Sequence, residues 1–172
     1  MNFNIQQYIP ANFNNNSRVW IYQSSRPFNA EEVFQIDSIL QQFADNWKSH
    51  GADVKGFAKL LFNQFAVIIA DETQAGVSGC STDSSVRVIK QIEQQFNAPM
   101  FERQALGFIV NESIQLLSLS QIENAIENGT ITPDTIYFNN LVQTKEELLN
   151  NWLIPIKDSW LAKRYNFSAI KI

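Results

Sequence analysis

The chain has 172 residues, with 13 Lys+Arg against 17 Asp+Glu and a formal net charge of -4. Hydrophobic residues make up 45% and aromatics 12%, which excludes a wholly disordered chain and allows a core without staples. One cysteine, Cys80, excludes a disulfide scaffold, and mild acidity excludes a non-specific duplex-DNA binder.

The length suits a single domain over residues 1–172. Residues 1–17 are rich in Asn and poor in charge and read as a loosely ordered lead-in, although Phe3, Tyr8, Ile9 and Phe13 can still dock. They show no cationic leader or apolar signal core, and the densest apolar run, Phe65–Ala70, is far short of the roughly 20 residues of a membrane helix. A cytoplasmic protein with no membrane partner and a free thiol at Cys80 is the expectation.

Arg18–Gln23, β-branched and aromatic, predicts a first strand that stops at Pro27. Asn29 with Glu32 makes a capping-box start, and Val33, Ile36, Ile39, Leu40, Phe43 and Trp47 follow at helical spacing up to a C-terminal cap at Gly51. Lys55–Phe62 and Gln64–Ala70 predict two strands joined at Asn63, the second apolar throughout and therefore central. Asp71–Thr82 reads as a loop. Thr82 or Asp83 then caps a helix carrying Val86, Val88, Ile89, Ile92 and Phe96, closed by Asn97-Ala-Pro99. Leu106–Val110 and Ile114–Leu117 predict a hairpin around Asn111-Glu112, Ser120 with Glu123 a short helix ending at Gly129, and Ile136–Phe138 a brief strand. Helices over Lys145–Trp152 and Ile156–Arg164, separated by Pro155, lead to a mobile basic tail over residues 165–172. The order implies an α+β fold: an antiparallel sheet with a ferredoxin-like βαββαβ core, plus a C-terminal strand and helical extension.

In that topology the first two strands are parallel and the third opposes both. The loop carrying His50 then shares a rim with the loop carrying Asp71, Glu72 and Cys80. Cys80 stands near a helix N-terminus, where partial positive charge favours thiolate, and Gly76 and Gly79 can turn backbone N–H groups toward an anion. A thiol-dependent enzyme or redox sensor would use Cys80 as nucleophile, His50 as base and Asp71 to orient it. The blander reading makes Cys80 a small buried residue, Ser81 and Asp83 caps, His50 a helix-end residue and Asp71-Glu72 a solvated turn. No ligand spacing recurs that would hold a metal, and no cofactor motif occurs. Arg26 has a guanidinium fork suited to an anion, or to an ordinary salt bridge. The preferred function is a non-enzymatic binding or regulatory module for a protein segment or small anion. Its ligand-binding residues would be Asp71, Glu72, Gly76, Gly79, Ser81, Asp83 and Arg26. Basic residues are not interleaved with the tryptophans, so no nucleic-acid partner is expected.

Four blocks carry a resemblance: Trp20-Ile-Tyr-Gln-Ser-Ser-Arg-Pro-Phe28, Asp71-Glu-Thr-Gln-Ala-Gly-Val-Ser-Gly-Cys-Ser-Thr-Asp83, Phe138-Asn-Asn-Leu-Val142 and Trp152-Leu-Ile-Pro-Ile-Lys-Asp-Ser-Trp160. Together they resemble the signature of a small uncharacterised bacterial protein family whose members are often labelled ABC transporter ATPase. That resemblance assigns no catalytic residues. ATP hydrolysis is rejected on the residues: Gly-x-x-x-x-Gly-Lys-Ser/Thr is missing, and Asp71, Glu72 and Asp83 would repel a triphosphate. Residues 118–136, Ser-Leu-Ser-Gln-Ile-Glu-Asn-Ala-Ile-Glu-Asn-Gly-Thr-Ile-Thr-Pro-Asp-Thr-Ile, are similar to the helix-and-turn half of GYF-like peptide-binding modules. That likeness implies peptide binding, or simply a shared helix-turn-strand solution.

Overall fold

The computed structural model describes residues 2–73 and 79–167, with the backbone alone described for Gly79, Cys80 and Ser81. Strand β5, Phe65–Asp71, is buried along its whole length, as its continuous apolar run predicts. It lies between β1, Arg18–Gln23, and β4, Lys55–Leu61, antiparallel to both. β1 and β4 therefore point the same way, and the chain leaves β5 at the end where it enters β4.

Helix α1, Ala30–Asp45, starts with the expected reciprocal cap. Asn29 Oδ1 accepts from Glu32 N at 2.9 Å, and Glu32 Oε2 accepts from Asn29 N at 2.9 Å. Its inner face buries Ile36, Leu40 and Ala44 in a core with Ala58, Leu60, Ala66, Ile68 and Ala70 of the sheet. Each fully buried aliphatic side chain there is worth about 1.5–3 kcal/mol. The helix ends at Asn46 rather than at Gly51. His50 and Gly51 instead form the turn of a small hairpin, β2 (Lys48–Ser49) and β3 (Ala52–Asp53), with φ of 50° and 83°. A two-residue hairpin turn needs two left-handed residues, and that demand outcompetes a helix cap here. Gly56 on β4 has a different reason to be glycine: a Cβ there would stand 2.8 Å from Trp47 Cε3.

Helix α2, Gly79–Phe96, begins earlier than expected, so Thr82 and Asp83 lie inside it and do not cap it. Val88, Ile89 and Ile92 enter the same core, and the chain turns out at left-handed Asn97.

Ala105–Val110, the strand expected to complete a ferredoxin-like sheet, does not pair with β1. As β6 it pairs with β7, Ser113–Ser118, and with β8, Ile136–Phe138, in a second sheet ordered β7-β6-β8-β9, with β9 at Leu153–Pro155. β1 is bordered instead by the returning segment 142–144, with Val19 N donating to Gln143 O at 2.9 Å and Arg18 bridged to Thr144. The chain gathers into two compact units: Asn2–Glu102 with Val142–Leu149, and Arg103–Leu141 with the described residues from Asn150 onward. The lead-in belongs to the first unit and is docked there. Ile5, Ile9 and Phe13 are buried, Phe13 stacks edge-on against Phe57, and Phe3 and Tyr8 meet Phe62.

In the second unit the β6–β7 turn is Asn111-Glu112, both left-handed, as expected. A single 3-10 turn, Leu119–Gln121, precedes α3, Ile122–Glu127, and left-handed Gly129 ends it. After α4, Lys145–Asn151, residues Leu153–Pro155 form β9 against β8, so Pro155 sits on an edge strand and does not separate two helices. The last expected helix is broken into a 3-10 turn, Ile156–Asp158, and α5, Leu161–Arg164. Ser159 is extended, and its Oγ accepts from Leu161 N at 3.2 Å. Tyr165 and Phe167 pack on this unit's core, whereas the rest of the expected tail, 168–172, lies outside the described residues. Among the described residues no helix is long and apolar enough to cross a membrane.

Candidate functional site

The strand directions bring the His50 hairpin and the loop after β5 to one end of the first sheet. Among the described side chains at that end, those of Asp71 and His50 do not come together, and the side chain of Cys80 lies outside the described ones. Asp71 is buried, with 2% of its side chain exposed, on the face opposite α1. Its Oδ2 accepts from Lys55 Nζ at 2.9 Å and Asn14 N at 3.2 Å, and its Oδ1 accepts from Thr73 Oγ1 at 2.8 Å and Thr73 N at 3.1 Å. Burial pushes this carboxyl up, but the bonds from Lys55, Thr73 and Asn14 outweigh it and hold Asp71 well below the usual carboxylate range. No hydrogen bond joins it to His50, which is exposed on its turn. Asp71 is therefore a buried ion-pair partner and not a solvated turn residue.

The same ion pair fastens the lead-in. Lys55 Nζ also donates to Asn12 O at 2.6 Å and stands 4.7 Å from the centre of the Phe13 ring. Lys145, at the start of α4 and only 4% exposed, donates to Ala11 O at 3.2 Å and Phe13 O at 2.6 Å. Two lysines and one aspartate thus hold four successive backbone positions, residues 11–14. Sequence reasoning missed both lysines, because nothing local distinguishes a lysine that binds remote carbonyls from one in water.

Arg26 is also committed. It meets Glu32 with two bonds of 2.9 and 2.8 Å, and donates to Phe96 O at 2.7 Å and Pro27 O at 3.2 Å. The Arg26 bond and then the Asn29 backbone N–H lower the Glu32 carboxyl to about 2. The ordinary salt-bridge reading of Arg26 is the one its geometry fits. Glu72 lies 3.4 Å from Arg18, and Asp83 is exposed on α2. Gly76 lies outside the described residues, and for Gly79, Cys80 and Ser81 the first turn of α2 is all that is described. Among the described residues no group of three or more His, Cys, Asp and Glu is placed to hold a metal ion.

A concavity with mixed chemistry lies in the second unit. Glu123, Ile126, Glu127, Arg164, Tyr165 and Asn166 line an open cleft of about 320 Å³. Ile122, Ala125 and Ile126 point α3 into the core, so Glu123 and Glu127 stand outside, one turn apart. Tyr165 N bonds Leu161 O at 2.9 Å, and the Tyr165 hydroxyl donates to Leu119 O at 3.5 Å. The Arg164 guanidinium is drawn over aromatic faces, 5.9 Å from the centre of Trp160 and 5.6 Å from that of Tyr165. Trp160 Nε1 in turn donates to the buried Tyr137 hydroxyl at 3.2 Å. Part of this site was legible as the Glu123–Glu127 spacing around Ile126. The contribution of residues 164–166 depends on a chain reversal that the sequence does not announce. Compared with protein-family models, curated proteins and solved structures, the chain finds no match.

Proposed function

We propose that this chain is a non-enzymatic binding module that recognises a segment of another protein through the cleft between α3 and residues 164–166. The observation that carries this reading is the cleft itself, lined by Ile126 and Tyr165 together with the charged Glu123, Glu127 and Arg164. The thiol-enzyme alternative loses support because its acid is committed to Lys55, Thr73 and Asn14, and its imidazole stands apart on a hairpin turn. A small anion at residues 71–83 is the weaker choice of ligand, since Asp71, Glu72 and Asp83 there are carboxylates. One cysteine and no disulfide suit the reducing cytoplasm.

The test is selection of peptides from a random phage library on the purified chain, followed by titration of the winners. Tyr165→Ala is expected to weaken them at least tenfold, and Cys80→Ser to leave them unchanged. Peptides indifferent to Tyr165→Ala would refute the assignment. A Cys80 alkylation profile with an apparent pKa far below the free value of about 8.5 would restore the thiol reading.

A further inference from the structure

A strand at the edge of a sheet presents backbone N–H and C=O groups that the sheet itself does not pair. The edges of the two larger sheets are protected unequally. β1 is bordered by the segment 142–144, with Val19 N donating to Gln143 O at 2.9 Å. β4 carries Lys55 and Lys59, and its Leu60 N donates away from the sheet to Asp37 Oδ1 at 2.9 Å. β9 is short, and the bonds from Asn139 N to Trp152 O and from Ile156 N to Thr135 O fix which of its backbone groups meet β8. Pro155 takes the outward position, where it has no N–H to offer. β7 has none of these devices: Ser-Ile-Gln-Leu-Leu-Ser includes no charge, no proline and no glycine. The left-handed two-residue turn at Asn111-Glu112 makes Val110 and Ser113 a hydrogen-bonded pair, so the backbone groups of Gln115 and Leu117 also point to β6. Those of Ile114, Leu116 and Ser118 point outward, and Ser118 N accordingly donates to Gln121 Oε1 at 2.8 Å. Among the described residues the backbone N–H and C=O of Ile114 and Leu116 have no hydrogen-bond partner.

We propose that β7 pairs antiparallel with β7 of a second copy of this chain, about a two-fold axis at Gln115. Ile114 then stands opposite Leu116 of the second copy, the two exchanging N–H and C=O in both directions, and Gln115 stands opposite its own equivalent. Because the strand carries no charge, this register sets no like charges against each other, and Glu112 just beyond it meets Ser118 of the second copy. The two edges of the sheet also decide the size of the assembly, since β7 is bare and β9 ends in Pro155. Joining two β7 edges uses up both and leaves β9 at each end of a continuous sheet, where proline blocks a further strand. One bare edge per chain suits a closed pair; a filament would need two. The pairing does not depend on the cleft beside α3.

The experiment is sedimentation equilibrium of the full chain over a range of concentrations, where the mass is expected to rise from that of one chain to that of two. Leu116→Pro removes an outward N–H and no bond between β6 and β7. It is expected to raise the dissociation constant of the pair at least about tenfold, with the circular-dichroism spectrum of an intact fold. Gln115→Lys and Gln115→Asp provide a second route that leaves the backbone alone. Each by itself sets like charges against each other across the axis and is expected to weaken the pair, and mixing the two variants to restore it. A single-chain mass at every concentration would overturn the proposal and leave the edge to a strand of a different protein. A pair that neither Leu116→Pro nor the Gln115 charges weaken would overturn the assignment to β7. Charge variants that weaken the pair but do not recover on mixing would overturn the two-fold register.

Discussion

Asp71→Asn is the substitution that most directly tests how the first unit is held. The carboxylate accepts four hydrogen bonds, from Lys55 Nζ, Asn14 N, Thr73 Oγ1 and Thr73 N. An amide keeps one acceptor oxygen and turns an N–H₂ group toward donors. Removing one partner of a buried ion pair costs about 3–5 kcal/mol, which is a ceiling here because Lys55 is 34% exposed and regains water. The expected loss is about 2 kcal/mol, combining the charge-assisted bonds lost with those the amide can still accept. For a chain of this size that lowers Tm by roughly 4–8 °C. Because Asp71 titrates below the ordinary aspartate value, its stabilisation is complete above about pH 3.9 and is lost as the pH falls from there toward the depressed value. Thermal melts followed by circular dichroism should therefore separate wild type and variant at pH 6 and bring them together in strong acid. Amide exchange at residues 13–14 should rise in the variant at neutral pH. An unchanged Tm, or a gap that persists undiminished in acid, would refute the clamp.

Three further substitutions test neighbouring contacts of the same unit. Lys145→Met keeps the stem but removes the donors to Ala11 O and Phe13 O, so limited proteolysis within residues 9–14 should quicken while the helical circular-dichroism signal holds. Gly56→Ala places a methyl 2.8 Å from Trp47 Cε3 and should cost about 1–3 kcal/mol in chemical denaturation, with a shifted tryptophan emission; an Ala variant as stable as wild type would mean that Trp47 moves freely. Glu32→Gln removes a carboxylate bound by Arg26 and Asn29 N. It should lower Tm above about pH 4.3, the ordinary glutamate value, and have less effect as the pH falls toward about 2, read from melts at several pH values.

Local chemistry made much of the fold legible before any coordinates. The Asn29–Glu32 box, the apolar run of β5, the left-handed turn at Asn111-Glu112 and the stop at Gly129 are each fixed by residues within a few positions of one another. What escaped was set by remote competition. β6 has the pattern of a strand, but no pattern says whether it pairs with β1 or with β8, and the 142–144 segment at the edge of β1 shows no strand run of its own. Gly51 satisfies a helix C-cap and a hairpin turn equally well, and the pairing of Lys48–Ser49 with Ala52–Asp53 decided between them. The candidate rim was legible as topology and not as chemistry: the directions of β1, β4 and β5 hold, yet two of the four bonds to Asp71 come from Asn14 and Lys55, residues distant in sequence.

The two sets of carboxylates in this molecule differ in what the chain supplies to them. Asp71 and Glu32 are each met by a cation and by backbone N–H groups, so the folded chain itself provides everything their charge requires. A ligand arriving at either would first have to displace those bonds, and any affinity would be reduced by their worth. Glu123 and Glu127 on α3, and Glu112 in the β6–β7 turn, present the reverse case: they are exposed and have no hydrogen-bond or ion-pair partner among the described residues. Charge that the fold has already neutralised is a fastener, whereas charge left opposed to its neighbour is available to a partner. On that physical distinction Asp71 and Glu32 belong to what holds the fold together, and their replacement is read in stability before it is read in binding.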